Sequence, residues 1–203
     1  MPHPMSARFG RLLIAVAGLA LAGPTVAEDS PAVGLPLEEQ IQVCAACHGA
    51  DGNSPQPGTP SLAGQPALTI TNQMIYFRER LRQNDLMTPM ARGLSDAEIQ
   101  ALAAWYADQP LETPDEEPDA ELMGKGQELA NQHRCASCHR ADFSGHEQMP
   151  RLAHQREDYL EQAMLAYREH TRGGPDTTMI EVMREISDDE IQALAHYLAH
   201  WEE

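Results

Sequence analysis

The chain has 203 residues, with 31 acidic side chains against 14 basic ones, a formal charge of −17, and only three Phe, two Trp and five Tyr. That length allows one domain or two small ones. The charge excludes a nucleic-acid binder, which needs a basic face to neutralise phosphate, and has the wrong sign for docking on anionic lipid. So few rings imply a core of aliphatics, or one completed by an apolar body from outside the chain.

The first expected element is a leader. Arg8 and Arg11 precede an apolar run over 12–22, and Thr25-Val26-Ala27 places small residues before a cleavage point. Residues 1–27 read as a secretory signal peptide cleaved after Ala27. The alternative is an uncleaved anchor, although the run is shorter than the ~20 residues of a typical bilayer span. Cleavage removes two arginines and no acid, so the chain from Glu28 would carry −19. Its expected destination is the periplasm, an oxidising space in which free cysteine pairs tend to close into disulfides.

From residue 28 onward the sequence repeats itself. Cys44-Ala45-Ala46-Cys47-His48 returns as Cys135-Ala136-Ser137-Cys138-His139. Pro60, Leu62 and Gln65 return as Pro150, Leu152 and Gln155; Phe77, Arg78 and Arg82 return as Tyr167, Arg168 and Arg172. The run from Leu94-Ser95-Asp96 to Ala103 returns from Ile186-Ser187-Asp188 to Ala195. Two long copies imply a duplicated domain rather than a solenoid. The expected units are 28–111 and 120–203, joined by 112–119, an acidic stretch with two prolines that reads as an extended linker.

Each unit reads as all-α. First helices are expected over 37–47 and 119–138, ending at the cysteines, and middle helices over 67–82 and 157–170. Last helices follow from Ile99, Leu102, Ala103 and Tyr106, and from Ile191, Leu194, Ala195 and Leu198, at i, i+3, i+4, i+7. Each last helix opens with a capping box, Ser95 with Glu98 and Ser187 with Glu190. The stretches 51–66 and 141–151, rich in Gly, Pro and polar residues, read as loops.

Cys-x-x-Cys-His is the attachment signature of c-type haem. Two thiols one helical turn apart can each form a thioether to a haem vinyl group, and the adjacent His then serves as the proximal iron ligand. Cys44, Cys47 and His48, and Cys135, Cys138 and His139, are therefore the expected cofactor-binding residues for two covalent haem c groups. A zinc site spaces its Cys-x-x-Cys pairs by ~15–20 residues, far less than here. Dithiol redox motifs or two structural disulfides are the other readings. Methionine is the usual sixth ligand of electron carriers. Met87 lies eight residues before Ser95 and Met179 eight before Ser187, so matched copies select Met87 and Met179 as iron ligands. Met90 and Met183 do not match each other, yet remain alternatives. His133, His146, His154, His170, His196 and His200 have no counterparts in the first copy and read as surface or packing residues; His154 or His170 as a bis-His ligand stays open. Arg78, Arg82, Arg168 and Arg172 read as cations for haem propionates or for nearby acids.

These residues, together with Pro60-Ser61-Leu62-Ala63-Gly64-Gln65 and Met87-Thr88-Pro89-Met90-Ala91, make the sequence resemble two-haem class I cytochromes c of the cytochrome c4 family. The second copy departs from the pattern at His154 and lacks the proline of the Met87 segment. The resemblance implies two tandem class I cytochrome c domains, with haems near a pseudo-twofold interface. It implies single-electron transfer in the periplasm or at the membrane surface, with membrane association at most peripheral, and no catalytic residues. Expected partners are a terminal cytochrome oxidase, a quinol–cytochrome c reductase, or a dehydrogenase or flavoprotein. The alternative is the haem subunit of a dehydrogenase complex such as flavocytochrome c sulfide dehydrogenase. A haem enzyme with an open iron site is a third class, which the methionines in both copies argue against.

Overall fold

The computed structural model describes residues 1, 29–114 and 116–202. The expected leader, apart from Met1, lies outside the described residues. Among these residues the chain forms nine helices: α1 Leu37–His48, α2 Ala67–Arg78, α3 Met87–Ala91, α4 Asp96–Ala107, α5 Ala120–Gln132, α6 Ala136–His139, α7 Glu157–Arg168, α8 Thr178–Met183 and α9 Asp188–Ala199. No strand forms among them, only an isolated bridge between His146 and Met149. No helix is long and apolar enough to cross a membrane.

The two last helices start where expected. In both capping boxes the serine hydroxyl and the glutamate carboxylate satisfy each other's backbone N–H groups. The i, i+3, i+4, i+7 positions of α4 and α9 are buried. They anchor two separate cores. One gathers Ile41, Ile70, Leu94, Ile99, Leu102 and Tyr106; the other gathers Leu129, Leu160, Met164, Met183, Ile191 and Leu194.

Three expected helices are shorter or broken. The middle helices stop at Arg78 and Arg168, not at 82 and 170, because Arg80 and His170 take left-handed backbone conformations, each with φ 58. Beyond that turn Arg82 N bonds Tyr76 O, and Arg172 N bonds Ala166 O. The expected helix over 119–138 is two helices. Arg134 adopts φ 56, and Cys135 N reaches back to Ala130 O, closing α5 in a Schellman-type turn before α6 begins. The short helices α3 and α8, which carry the methionines, were not expected from periodicity because each is under two turns long.

α5 crosses α9 at Gly126, where a Cβ would lie 2.2 Å from Ala193 O and 2.4 Å from Tyr197 Cβ. Only a residue without a side chain allows that approach.

The two units meet in an interface that repeats under exchange of the halves. Gln155 Nε2 donates to Ser61 O (2.8 Å) while Gln155 Oε1 accepts from Ser61 N (2.8 Å). In mirror fashion Gln65 Nε2 donates to Arg151 O (3.0 Å) and Gln65 Oε1 accepts from Arg151 N (3.0 Å). Gln65 and Gln155 are repeat counterparts, as are Ser61 and Arg151, so the contact is isologous within one chain. Gly58 N on Asp158 Oδ2 and Arg156 Nη1 on Ser54 O add to it.

Replacing Gly126 by Ala is expected to cost ~1–3 kcal/mol through overpacking. Gly124→Ala, which faces open space within the same helix, should instead gain ~0.5–1 kcal/mol; denaturant unfolding of both variants checks the contrast. Glu98 accepts from Ser95 Oγ and N, from Gly34 N (2.8 Å) and from Gln40 Nε2 (2.9 Å), which holds its pKa at about 2 against an ordinary 4.5. A depressed carboxyl stabilises the fold fully above the unfolded value and loses that contribution as pH falls from 4.5 towards 2. Glu98→Gln should therefore be less stable than the parent at neutral pH, with the difference shrinking across that window in pH-dependent unfolding.

Candidate functional site

α1 carries Cys44, Cys47 and His48 on its last turn, and α6 with its N-cap carries Cys135, Cys138 and His139. Spacings of three and four residues put both sulfurs and the imidazole of each motif on one side of a helical turn. Cys44 and Cys135 are half-buried and Cys47 and Cys138 exposed, and all four are free thiols. Burial raises the Cys44 and Cys135 thiols. Neither disulfide left open by the sequence is formed. A shared zinc site is not built either: among the described residues the one group of three metal-ligating side chains is Glu157, His196 and His200, which contains no cysteine.

His48 and His139 are buried, 6% and 5% exposed. His48 Nδ1 lies 2.9 Å from Pro60 O and His139 Nδ1 lies 2.8 Å from Pro150 O. A carbonyl can only accept, so Nδ1 carries the proton and donates. That leaves Nε2 with its lone pair free in both rings, the tautomer a metal ligand needs. Burial lowers both imidazole pKa values and keeps the rings neutral, against the smaller opposing effect of the carbonyls.

Met87 and Met90 are half-buried on α3; Met179 is half-buried on α8 and Met183 is 2% exposed in the second core. Met87 and Met179 occupy matched sites. Each methionine segment follows a matched polar turn, in which Asn84 Oδ1 accepts from Leu86 N and Met87 N, and Asp176 Oδ1 from Thr178 N and Oγ1. The counterpart of Met183 is Ala91, which is 0% exposed. His154 stands edge-on to Trp201, and His170 is exposed at the end of α7.

The four repeat-matched arginines divide. Arg78 pairs with Asp96 (2.8 Å) and Leu94 O, and Arg168 with Asp188 (2.5 Å) and Ile186 O, so these two tie helices within a unit. Arg82 and Arg172 have no carboxylate partner among the described residues. They converge at the interface on Tyr159, whose hydroxyl accepts from Arg172 Nη1 (3.0 Å). The Arg172 guanidinium lies 4.8 Å from the Tyr167 ring and that of Arg82 lies 4.5 Å from Phe77. Arg172 Nε is buried with no partner. Arg82 Nη1 donates to Gln73 Oε1 (2.5 Å); two neighbouring half-buried cations without a carboxylate, one with an orphaned buried donor, suit an anion, since unpaired buried charge is costly. The carboxylates of a haem would suit that charge, and the free Nε2 lone pairs and the thiols make a donor set that fits the group.

Sequence reasoning marked Pro60 and Pro150 only as signs of duplication. Each follows its histidine at a similar distance, 12 residues in the first copy and 11 in the second, and that was the signal that could have shown them as the partners of the rings. Nothing in the sequence pointed to Tyr159, which has Thr69 at the matched position.

Two helical units, each presenting two thiols and a tautomer-fixed imidazole, define a two-domain class I c-type cytochrome. A family profile described as "Cytochrome c" matches residues 123–202, and one described as "Cytochrome C oxidase, cbb3-type, subunit III" matches 39–105. The chain is 39% identical over 187 residues to a cytochrome c4 of Thiocapsa roseopersicina, covering 83% of this chain and 94% of that protein. It is 34% identical to a thiosulfate dehydrogenase electron acceptor of Thiomonas intermedia, over 77% of each. Its fold is similar to the crystal structure of reduced cytochrome c4 from Pseudomonas stutzeri, with a TM-score of 0.74 and 28% identity over 80% of this chain and 95% of that one. The chain belongs to the cytochrome c4 family. It is a dihaem electron-transfer protein with covalently bound haem c, not itself an enzyme.

Proposed function

We propose that the chain is a periplasmic carrier of single electrons between respiratory or oxidative redox partners, with His48 and Met87 ligating one iron and His139 and Met179 the other. The observation that carries this reading is the matched pair of buried, Nδ1-anchored histidines, each accompanied by a methionine at an equivalent position. The reading includes a leader over 1–27, units over 28–111 and 120–203, and a linker over 112–119. In its support, Glu112 N bonds Asn53 Oδ1 and Asp119 N bonds His196 Nε2, one contact at each end of that stretch.

The one-electron change belongs to the haem iron. The chain's part is to hold the ligands still while it occurs. Each prolyl carbonyl fixes an imidazole, and the turns at Asn84 and Asp176 set the start of each methionine segment. With Met87 and Met179 as iron ligands, neither haem would keep an open site for a substrate molecule. Arg82 and Arg172 suit the haem carboxylates and would balance their charge inside the interface. Met183 lies in the core at the Ala91 position, which supports a packing role there.

A second reading is electron acceptor to a dehydrogenase, a terminal partner that the Thiomonas relative's name favours. Stopped-flow reduction by a thiosulfate-oxidising dehydrogenase, set against oxidation by a terminal oxidase, separates the two readings. The docking chemistry is the same in both: with a charge of −17 and Lys125 as its sole lysine, the chain suits a partner with a basic face.

Met87→Ala and Met179→Ala should each remove about half of the far-red methionine–iron band of the oxidised protein. Met183→Ala should leave the band intact while costing ~2–5 kcal/mol of stability. A full band in either of the first two variants overturns that ligand. The second-order rate with the physiological partner should fall as salt is raised and screens the attraction; a salt-independent rate overturns a basic docking face.

A further inference from the structure

The interface glutamines touch the same peptide groups that hold the histidines. The Pro60 carbonyl, acceptor for His48 Nδ1 at 2.9 Å, and the Ser61 N–H, donor to Gln155 Oε1 at 2.8 Å, are the two ends of one planar peptide unit. In the other half the Pro150 carbonyl accepts from His139 Nδ1 at 2.8 Å, and the Arg151 N–H of the same peptide donates to Gln65 Oε1 at 3.0 Å. Both glutamines are buried, 6% and 4% exposed. Each is held by a second bond to the carbonyl of the residue it grips, and Gln155 Oε1 also takes Arg156 N at 3.0 Å.

Hydrogen bonds in series polarise one another, and low local dielectric strengthens the effect. An acceptor on a peptide N–H draws electron density towards that peptide's oxygen, so the carbonyl becomes a better acceptor for the imidazole proton. A stronger Nδ1–H···O bond makes Nε2 more basic. A more basic axial ligand favours the ferric iron and lowers the reduction potential. The route is crossed, because the glutamine lies in one domain and the histidine in the other.

We propose that Gln65 and Gln155 are crossed positioning residues: each, through a single peptide group of the opposite domain, sets the hydrogen bond of that domain's proximal histidine and so tunes the potential of the haem it does not belong to. This rests on His48 and His139 as the proximal ligands. Independent of any partner, it gives the duplicated chain a means for the state of the interface to reach both redox centres.

The test is a potentiometric titration of the holoprotein, with each haem followed by its own NMR haem-methyl signals. Gln155→Met, close in shape but unable to hydrogen-bond, is expected to raise the midpoint of the N-terminal haem and leave that of the C-terminal haem near its wild-type value. Gln65→Met should do the reverse. The His48 ring N–H resonance should shift upfield and exchange faster in the first variant, and that of His139 in the second. Gln155→Glu keeps an acceptor oxygen and should not raise the N-terminal midpoint. A shift confined to the variant's own domain, equal shifts of both haems from a loosened interface, or an unchanged ring proton each overturn the proposal. The methionine–iron band and two haems per chain are checked in every variant. Their loss would indict the ligand assignment rather than the crossed coupling.

Discussion

Much of this structure depends on one hydrogen bond made twice, from the Nδ1–H of a buried histidine to a prolyl carbonyl. A buried imidazole with a free rotor and two tautomers would be a poor ligand. The carbonyl removes both freedoms at once, because it can only accept and lies in a fixed peptide plane. That plane must itself be held. Within loops 51–66 and 141–151 it is held by matched turns, Leu62 N and Ala63 N on Gly52 O and Leu152 N and Ala153 N on Phe143 O. A further grip comes from the opposite half, through Gln155 on Ser61 and Gln65 on Arg151. The geometry of each site is thus completed by the other domain, and the duplication contributes to the site rather than merely doubling it.

The charge distribution follows the same division between surface and interface. The chain carries far more acid than base, yet two of its arginines meet in the interface with no carboxylate partner among the described residues. Left-handed residues at Arg80 and His170 end α2 and α7 early and lead the chain to Arg82 and Arg172. Burial by itself would raise the Tyr159 phenol, but the Arg172 and Arg82 charges outweigh it and bring the pKa down to about 8. A region so positive inside so acidic a protein is suited to the carboxylates of its cofactor. The shortage of rings noted in the composition is met by the same group, since each haem brings an apolar body larger than any side chain.

The sequence made legible whatever depends on local period or on repetition. The capping boxes at Ser95 and Ser187, the buried stripe of α4 and α9, and the Cys-x-x-Cys-His motifs could all be read directly. The ends of α2, α5 and α7 could not, because they stop at Arg80, Arg134 and His170, non-glycine residues whose left-handed conformation no propensity signals. The matched arginines looked equivalent in sequence and proved to be of two kinds. Position 78 faces Asp96, whereas position 82 lies beyond a turn and reaches Tyr159 and Arg172 of the other domain as well as Phe77 of its own. Partners made of backbone, such as the carbonyls of Pro60 and Pro150, leave no mark on residue type and could be inferred only from their spacing.

The two copies keep one backbone while changing the residues that adopt it. Gly52 (φ 88) and Gly64 (φ 63) have Phe143 (φ 50) and His154 (φ 58) as counterparts. A non-glycine residue in this region costs ~1–2 kcal/mol, so the second copy pays for a conformation that the first adopts freely. The return is packing. Phe143 is 4% exposed and sets its ring edge-on to Tyr197 and Trp201, at 5.9 and 6.2 Å, and His154 meets Trp201 as well. Edge-to-face pairs contribute ~0.5–1.5 kcal/mol each beyond area burial, which is the same size as the strain. The first copy places Tyr106 against the Gly52 site instead, where a Cβ would lie 2.7 Å from its ring. Each domain therefore reaches the same loop geometry by a different balance, one through absence of a side chain and the other through aromatic contact. The two copies share the backbone that presents the prolyl carbonyl, while the side chains around it differ, so the geometry of that carbonyl does not depend on one particular set of neighbours.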